Sequence, residues 1–123
     1  MIMDRFFEEY LNLQVTYRDA FSLKARGVLS PGHPHLDGHF EGCPLLPGVS
    51  QIDLIEALTA LTLDQPIDII ELSRIKFAAM FRPHDNFEVE VKVVPEELRA
   101  VWQLNDGNRT FSKGSFTYEL HYE

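Results

Sequence analysis

The chain has 123 residues, a length that suits one domain spanning residues 1–123 with a single packed core. With 45% hydrophobic, 24% charged and 11% aromatic residues, the composition is that of a globular protein and excludes a disordered chain. Nineteen acidic side chains against eleven basic ones leave a net charge of −8, which repels polyanions and argues against generic binding to nucleic acid or anionic lipid; an acidic partner would need a local basic patch.

The first ten residues, MIMDRFFEEY, carry Asp4, Glu8 and Glu9 where a signal peptide needs an apolar core. The longest uncharged run, residues 42–52, has 11 residues, short of the roughly 18 or more that cross a bilayer. A soluble, cytoplasmic protein without membrane insertion is the expectation. Cys43 is the single cysteine, so no intramolecular disulfide forms, and it reads as a small buried hydrophobe in a reducing compartment.

In chain order, residues 3–13 place Phe6, Phe7, Tyr10 and Leu11 at helical spacings, predicting a short amphipathic helix. Residues 21–28, FSLKARGV, alternate apolar with polar and predict a strand. The next stretch interleaves Gly32, Gly38, Gly42 and Gly48 with Pro31, Pro34, Pro44 and Pro47, so neither helix nor ladder can continue and a long structured loop follows.

After Pro47, Val49, Ile52, Ile55, Leu58 and Leu61 recur at three-residue steps, with Ala57, Ala60 and Leu63 widening the apolar face; a mostly buried helix is predicted. Four strand-like runs then follow: residues 73–81, 87–94, 98–104 and 110–122. Asn105-Asp106-Gly107-Asn108 makes a good hairpin turn, since Asp-Gly tolerates positive φ. The plan is α+β, one central helix followed by an antiparallel meander that wraps it.

Chemistry concentrates between Gly38 and Glu56, where a histidine in a rigid loop, a glycine at a helix start and an acid inside an apolar helical stretch occur together. Asp53 lies between Ile52 and Leu54, one turn into the helix. Buried there, an ionised carboxylate would lose hydration and come to favour its protonated form; facing solvent, it would be an ordinary surface acid.

These residues resemble the signature of the β-hydroxyacyl-acyl-carrier-protein dehydratases of the hotdog fold: a Gly-His-Phe-x-Gly loop, a Pro-Gly turn and an acid on the central helix. The matching elements are Gly38-His39-Phe40-Glu41-Gly42, then Pro47-Gly48, then Asp53, with the family's spacing of 14 between His39 and Asp53. Arg74-Ile-Lys-Phe77 and Arg82-Pro83 extend the likeness more loosely. Two positions depart: Glu41 stands where proline is usual, and Ala57 stands one turn after the acid, where relatives often have glutamine. Asp rather than Glu at position 53 is similar to the dehydratase-isomerase branch, and LPGVSQID is similar to the dehydratases of aryl-polyene assembly.

The resemblance implies a hotdog, an antiparallel sheet wrapped around one long central helix, and the elimination of water from a 3-hydroxyacyl thioester on acyl carrier protein, in fatty acid or polyene biosynthesis. The residue types suit that reaction. His39 would remove the α-proton, which is less acidic than imidazolium by roughly a dozen pKa units, a mismatch of ~16 kcal/mol that a positioned base alone does not supply. Charge developing on the thioester oxygen therefore needs a donor. The Gly48 N–H, at the helix start and aided by the helix dipole, can serve, and the missing side chain lets a thioester approach; Gly48 can equally be a plain turn residue. Asp53, protonated, would deliver a proton to the departing hydroxyl.

No cofactor is implied. His33, His35, Asp37 and His39 cluster in sequence, but the flanking prolines restrict their convergence and a metal site is not expected. His84 and His121 read as surface residues, and Cys43, followed by Pro44, as a structural thiol rather than a nucleophile. Arg74, Lys76 and Arg82 form the densest basic segment. They would contact the acidic carrier protein or the phosphopantetheine phosphate, or else be solvated strand ends. The resemblance further implies a homodimer in which two sheets join and His39 of one subunit works with Asp53 of the other. Two other functions compete: a hotdog acyl thioesterase, and a catalytically silent acyl- or carrier-binding module, to which Glu41 and Ala57 lend support.

Overall fold

The computed structural model describes residues 9–33, 36 and 46–121. Of the helix expected over residues 3–13, residues 9–13 are described: 9–11 are helical, and the helix ends before Asn12, whose φ is 47°. The elements that follow are β1 (Gln14–Arg18), β2 (Ser22–Val28), α1 (Gly48–Leu63), β3 (Ile67–Phe77), β4 (Asn86–Val94), a 3₁₀ turn (Pro95–Glu97), β5 (Arg99–Asn105) and β6 (Thr110–Leu120). The strands form one six-stranded sheet in the order β1-β2-β4-β5-β6-β3, every pair antiparallel.

Alternation decides which face of the sheet meets the helix. In β4, Phe87, Val89, Val91 and Val93 are buried, while Glu88 and Lys92 point to solvent. In β5, Ala100, Trp102 and Leu104 do the same. Against these inward residues α1 packs Leu54, Ile55 and Leu58, with Leu23 and Ala25 of β2 and Phe116 and Tyr118 of β6 completing the core. At one end Phe81 stacks on Phe111 at 4.5 Å and meets the edge of Phe87 at 5.3 Å.

The sheet departs from the expected order of strands. Only β4, β5 and β6 run as a meander; β3 pairs with the far side of β6, so the chain crosses the sheet between β3 and β4. β3 also starts at Ile67 and stops at Phe77, where the alternation pattern predicted residues 73–81. Its first half pairs with the end of β6, Ile67 opposite Leu120. Past Phe77 the Ala78 and Ala79 N–H groups still bond to Phe111 and Thr110 before Phe81 turns into the core. β1 was not expected, although Gln14-Val15-Thr16-Tyr17-Arg18 alternates polar with apolar: the run is only five residues long and every residue of it is exposed. Both sheet edges, β1 and β3, therefore lack a partner strand among the described residues.

The helix is tilted relative to its expected apolar face. Steps of three residues drift by about 60° each on a helix of 3.6 residues per turn, so Val49 and Leu58 cannot share a face. Val49 is 73% exposed while Leu58 is fully buried. Among the described residues no helix is long and apolar enough to cross a membrane.

Candidate active site

Pro47 adopts an extended conformation, φ −61° and ψ 154°, immediately before α1. Its carbonyl accepts from the Ser50 and Gln51 N–H groups at 3.1 and 3.2 Å. The first two helical N–H groups, on Gly48 and Val49, have no acceptor among the described residues. No side chain caps this end and no acid stands in the first turn. Among the described residues the helix thus begins with two donors unpaired and no charge set against the positive end of its dipole, the arrangement that favours a developing anion.

What surrounds these donors is apolar. Leu46, Gly48, Val49, Ile52, Phe77 and Met80 border a groove of about 490 Å³, and Val49, Phe77 and Met80 are each half exposed or more. A Cβ built on Gly48 would come within 2.7 Å of the Phe77 ring, so the close approach of that ring requires glycine here. Leu46 is fixed from both sides: its N–H donates to the Phe81 carbonyl at 2.8 Å, and its own carbonyl accepts from Gln51 Nε2 at 3.2 Å.

Gln51 was not singled out by the sequence, and it is 4% exposed. With Nε2 committed to Leu46, its Oε1 is buried without a hydrogen-bond partner. Such an acceptor costs about 1–3 kcal/mol when left unpaired, against which stands the bond from Nε2 to Leu46. The available signal was a polar residue on the same helical stripe as Ile55 and Leu58.

Asp53 stands on the opposite side of α1, and the chain leaves it exposed. The helix carries Asp53 out of its own core although both sequence neighbours are apolar, because adjacent residues are about 100° apart. Any desolvation of Asp53 must therefore come from beyond the described chain. One turn further, Glu56 is partly buried beside Asp53 and Asp68. Burial pushes its carboxyl above the ordinary range, a hydrogen bond from the Ile69 N–H opposes this, and repulsion from the two aspartates reinforces it.

The remaining candidates fall in different places. His39 lies outside the described residues, as do His35, Asp37, Glu41 and Cys43. His33 is buried with its ring 5.8 Å from that of Tyr10, and no group of metal-binding side chains occurs among the described residues. His84 is exposed, and His121, also exposed, meets Asp68 at 2.8 Å. Arg74, Lys76 and Arg82 are exposed but do not form one patch. Arg74 and Lys76 lie on β3, whereas Arg82 sits past the end of that strand, its N–H on Asp85 and its guanidinium on the Met80 sulfur.

Comparison with known proteins agrees with this architecture. The dehydratase heterocomplex ApeI:P from Xenorhabdus doucetiae superposes with a TM-score of 0.75 at 21% identity, over 85% of this chain and 96% of that one. Thioesterase superfamily member 2 from Mus musculus superposes at 0.72 with 11% identity, over 95% and 85% of the two chains; these likenesses identify the fold as a hotdog. A curated relative, the 3-hydroxyacyl-[acyl-carrier-protein] dehydratase FabZ of Ruegeria sp. (strain TM1040), is 28% identical over 81 residues, 57% of this chain. The chain spans about half the length of that relative, 51%. Residues 5–115 match the ApeI-like family, described as ApeI dehydratase; with nearly the whole sheet and helix inside that match, the chain belongs to the ApeI-like dehydratase family.

Proposed function

We propose that the protein removes water from a 3-hydroxyacyl thioester carried on acyl carrier protein, giving the trans-2-enoyl thioester, in fatty acid or polyene biosynthesis in the cytoplasm. The observation that carries this reading is the uncapped helix start: two free N–H donors at Gly48 and Val49 beside an apolar groove walled by Phe77 and Met80. In the proposed mechanism the thioester oxygen accepts from the Gly48 N–H while the acyl chain lies along the groove. His39 takes the α-proton, and the electron pair moves toward the carbonyl that Gly48 stabilises. As the enolate collapses, the Cβ–O bond breaks and Asp53 gives its proton to the leaving hydroxyl, so that water departs.

The same reading takes the enzyme to be a homodimer joined through β3. Among the described residues that edge has no partner strand, and it exposes Ile70 at 58% and Leu72 at 38%, which an unpartnered edge does not leave in water without cost. Asp53, exposed in one chain, would be covered by the second and complete a site with the partner's histidine loop.

Incubation with a 3-hydroxyacyl thioester on acyl carrier protein tests the proposal. Formation of the enoyl thioester is the expected result. Free carrier thiol without enoyl product would make the protein a thioesterase, and neither product would make it a binding module.

A further inference from the structure

Most of the basic side chains of this acidic chain are engaged. Lys24 and Lys92 both reach Glu90, at 3.6 and 3.9 Å, and Arg109 pairs with Asp85 and Asp106. Arg18 and Arg26 donate to the Leu61 carbonyl and to Gln14. Arg74, Lys76, Arg99 and Lys113 make no ion pair with a described carboxylate. Those four lie together on neighbouring strands.

The sheet register explains how. Across β5, β6 and β3, Val101 stands opposite Ser115, and Ser115 opposite Ser73, so the outward face has a floor of small side chains, with the Ser73 and Ser115 hydroxyls 2.9 Å apart. On one side of that row Gln103 stands opposite Lys113, and Lys113 opposite Lys76; on the other, Arg99 stands opposite Thr117 and Thr117 opposite Glu71. Arg74 sits in the bulge of β3 with φ 54°. Arg74, Arg99, Val101, Lys113 and Ser115 border a shallow cavity of about 330 Å³. Two acids flank this part of the face, Glu71 opposite Thr117 and Glu90 opposite Gln103, the latter paired with Lys24 and Lys92.

Two like charges directly opposed, Lys76 and Lys113, destabilise a strand pair. Arg18, Arg26 and Arg82 also lack a described carboxylate, but their guanidinium groups are held by a carbonyl, an amide and a thioether; these four cations are adjacent across neighbouring strands of an acidic chain. Three strands at about 4.8 Å spacing make the belt from Arg99 on β5 to Lys76 on β3 some 10 Å wide, broader than a single phosphate and comparable to the width of a helix.

We propose that this outer face of β5, β6 and β3 docks the acidic surface of a second protein. Resting on the carrier-bound reading above, we take that protein to be the acyl carrier protein that delivers the thioester. Arg99 and Lys113 are its central contacts and Arg74 its rim. Arg82, grouped with Arg74 and Lys76 by sequence alone, has no part in it. Attraction between the belt and an acidic helix would act mainly on encounter and weaken with salt.

The test uses the intact dimer of an Arg99→Glu/Lys113→Glu variant beside wild type, with 3-hydroxyoctanoyl presented on acyl carrier protein and on free pantetheine. The expected result is a KM for the carrier substrate raised about tenfold or more with kcat unchanged, no change for the pantetheine thioester, and a salt-sensitive KM in wild type alone. Equal losses on both substrates, or none on the carrier, would overturn the proposal. So would competition by inorganic phosphate or coenzyme A that the double variant abolishes, since the face would then hold a phosphate rather than a protein. If wild type turns over neither thioester, the dehydratase reading fails by itself. Docking is then read by titrating both proteins with apo acyl carrier protein, where binding by wild type alone supports the surface and absence of binding by wild type refutes it.

Discussion

The ring of Phe77 occupies the space in which a side chain on Gly48 would begin, 2.7 Å from an ideal Cβ. The last residue of β3 and the first of α1 are therefore matched: the strand lends an aromatic wall to the helix start only because the helix start has no side chain. Phe77 is 49% exposed, so its ring can swing away and Gly48→Ala should fold. The displaced ring and the new methyl group would then crowd the free N–H. We expect kcat/KM to fall by about 10²-fold or more, the scale of losing one oxyanion donor, with little change in melting temperature. Phe77→Leu in the Gly48→Ala background should recover part of the loss. Full activity in folded Gly48→Ala would place the thioester elsewhere.

Gln51 links the same turn to the core. Replacing it by Met removes the bond to the Leu46 carbonyl, worth about 1 kcal/mol, and also the unpaired Oε1, which costs about 1–3 kcal/mol. The two effects oppose each other, so the melting temperature of Gln51→Met should match or exceed that of wild type. Turnover should nonetheless drop, because Leu46 and with it the Pro47-Gly48 turn lose an anchor. A variant both less stable and fully active would show the carboxamide to be structural alone.

How much of this could be read from the chain depends on which forces set each element. β4 and β5 were legible because one face of each is buried and the other wet, so Phe87, Val89 and Val91 alternate with Glu88 and Glu90. β1 and the first half of β3 were not: Gln14–Arg18 is a five-residue edge strand with neither face buried, and the bulge between Ile69 and Glu71 interrupts the alternation of β3. Pro47-Gly48 announced the helix start correctly. Apolar neighbours misstated the surroundings of Asp53, since sequence adjacency on a helix means opposite directions in space. The unpaired cations were half legible: Arg74 and Lys76 are close in sequence, but Arg99 and Lys113 join them only through the strand register.

Glu56 supplies a pH-dependent test of the carboxylates on the outer side of α1. Its folded-state pKa is raised above 4.5 by burial, partly offset by the Ile69 N–H and reinforced by Asp53 and Asp68. An acid raised in the folded state destabilises it once both states are ionised, and this penalty disappears as pH falls below the unfolded value. Glu56→Gln keeps an acceptor for Ile69 and removes the charge. It should melt higher than wild type at neutral pH and equally below about pH 4. An equal or lower melting temperature at neutral pH would show that burial and the two aspartates do not together penalise the charged form.

The hairpin between β5 and β6 should respond in the opposite sense. Hydrogen bonds from the backbone N–H groups of Arg109 and Asn108, and from the Arg109 guanidinium, hold the Asp106 carboxyl at about 2. A depressed acid contributes stability above its unfolded pKa and loses it as pH falls through the folded one. The turn should therefore stay closed at about pH 4 and loosen toward about pH 2. Hydrogen exchange at the Asn108 and Arg109 amides reads this directly. Protection in Asp106→Ala should be low at neutral pH, and the difference from wild type should shrink toward about pH 2. Protection independent of Asp106 at neutral pH would assign the turn to Gly107, whose φ is 94°.

The shared site makes the most exacting demand. Asp53 is exposed on its own chain, and the proposal has it act with His39 of the partner. His39→Ala and Asp53→Ala should each lose most activity, since a proton-transfer group contributes about 10²–10⁴ in rate. Unfolded together in equal amounts and refolded, the two variants pair at random, and about half of the dimers are mixed. In a mixed dimer one site carries both lesions. The other unites an intact His39 with an intact Asp53 from the opposite chain, so roughly a quarter of wild-type activity should return. If both groups served from one chain, every site would retain a lesion and nothing would return. A mass tag on one variant establishes that mixed dimers formed; with those present, an inactive mixture would rule out the shared site and leave a within-chain pairing or a different catalytic pair, and activity near a quarter would fix the dimer as the smallest unit that can eliminate water.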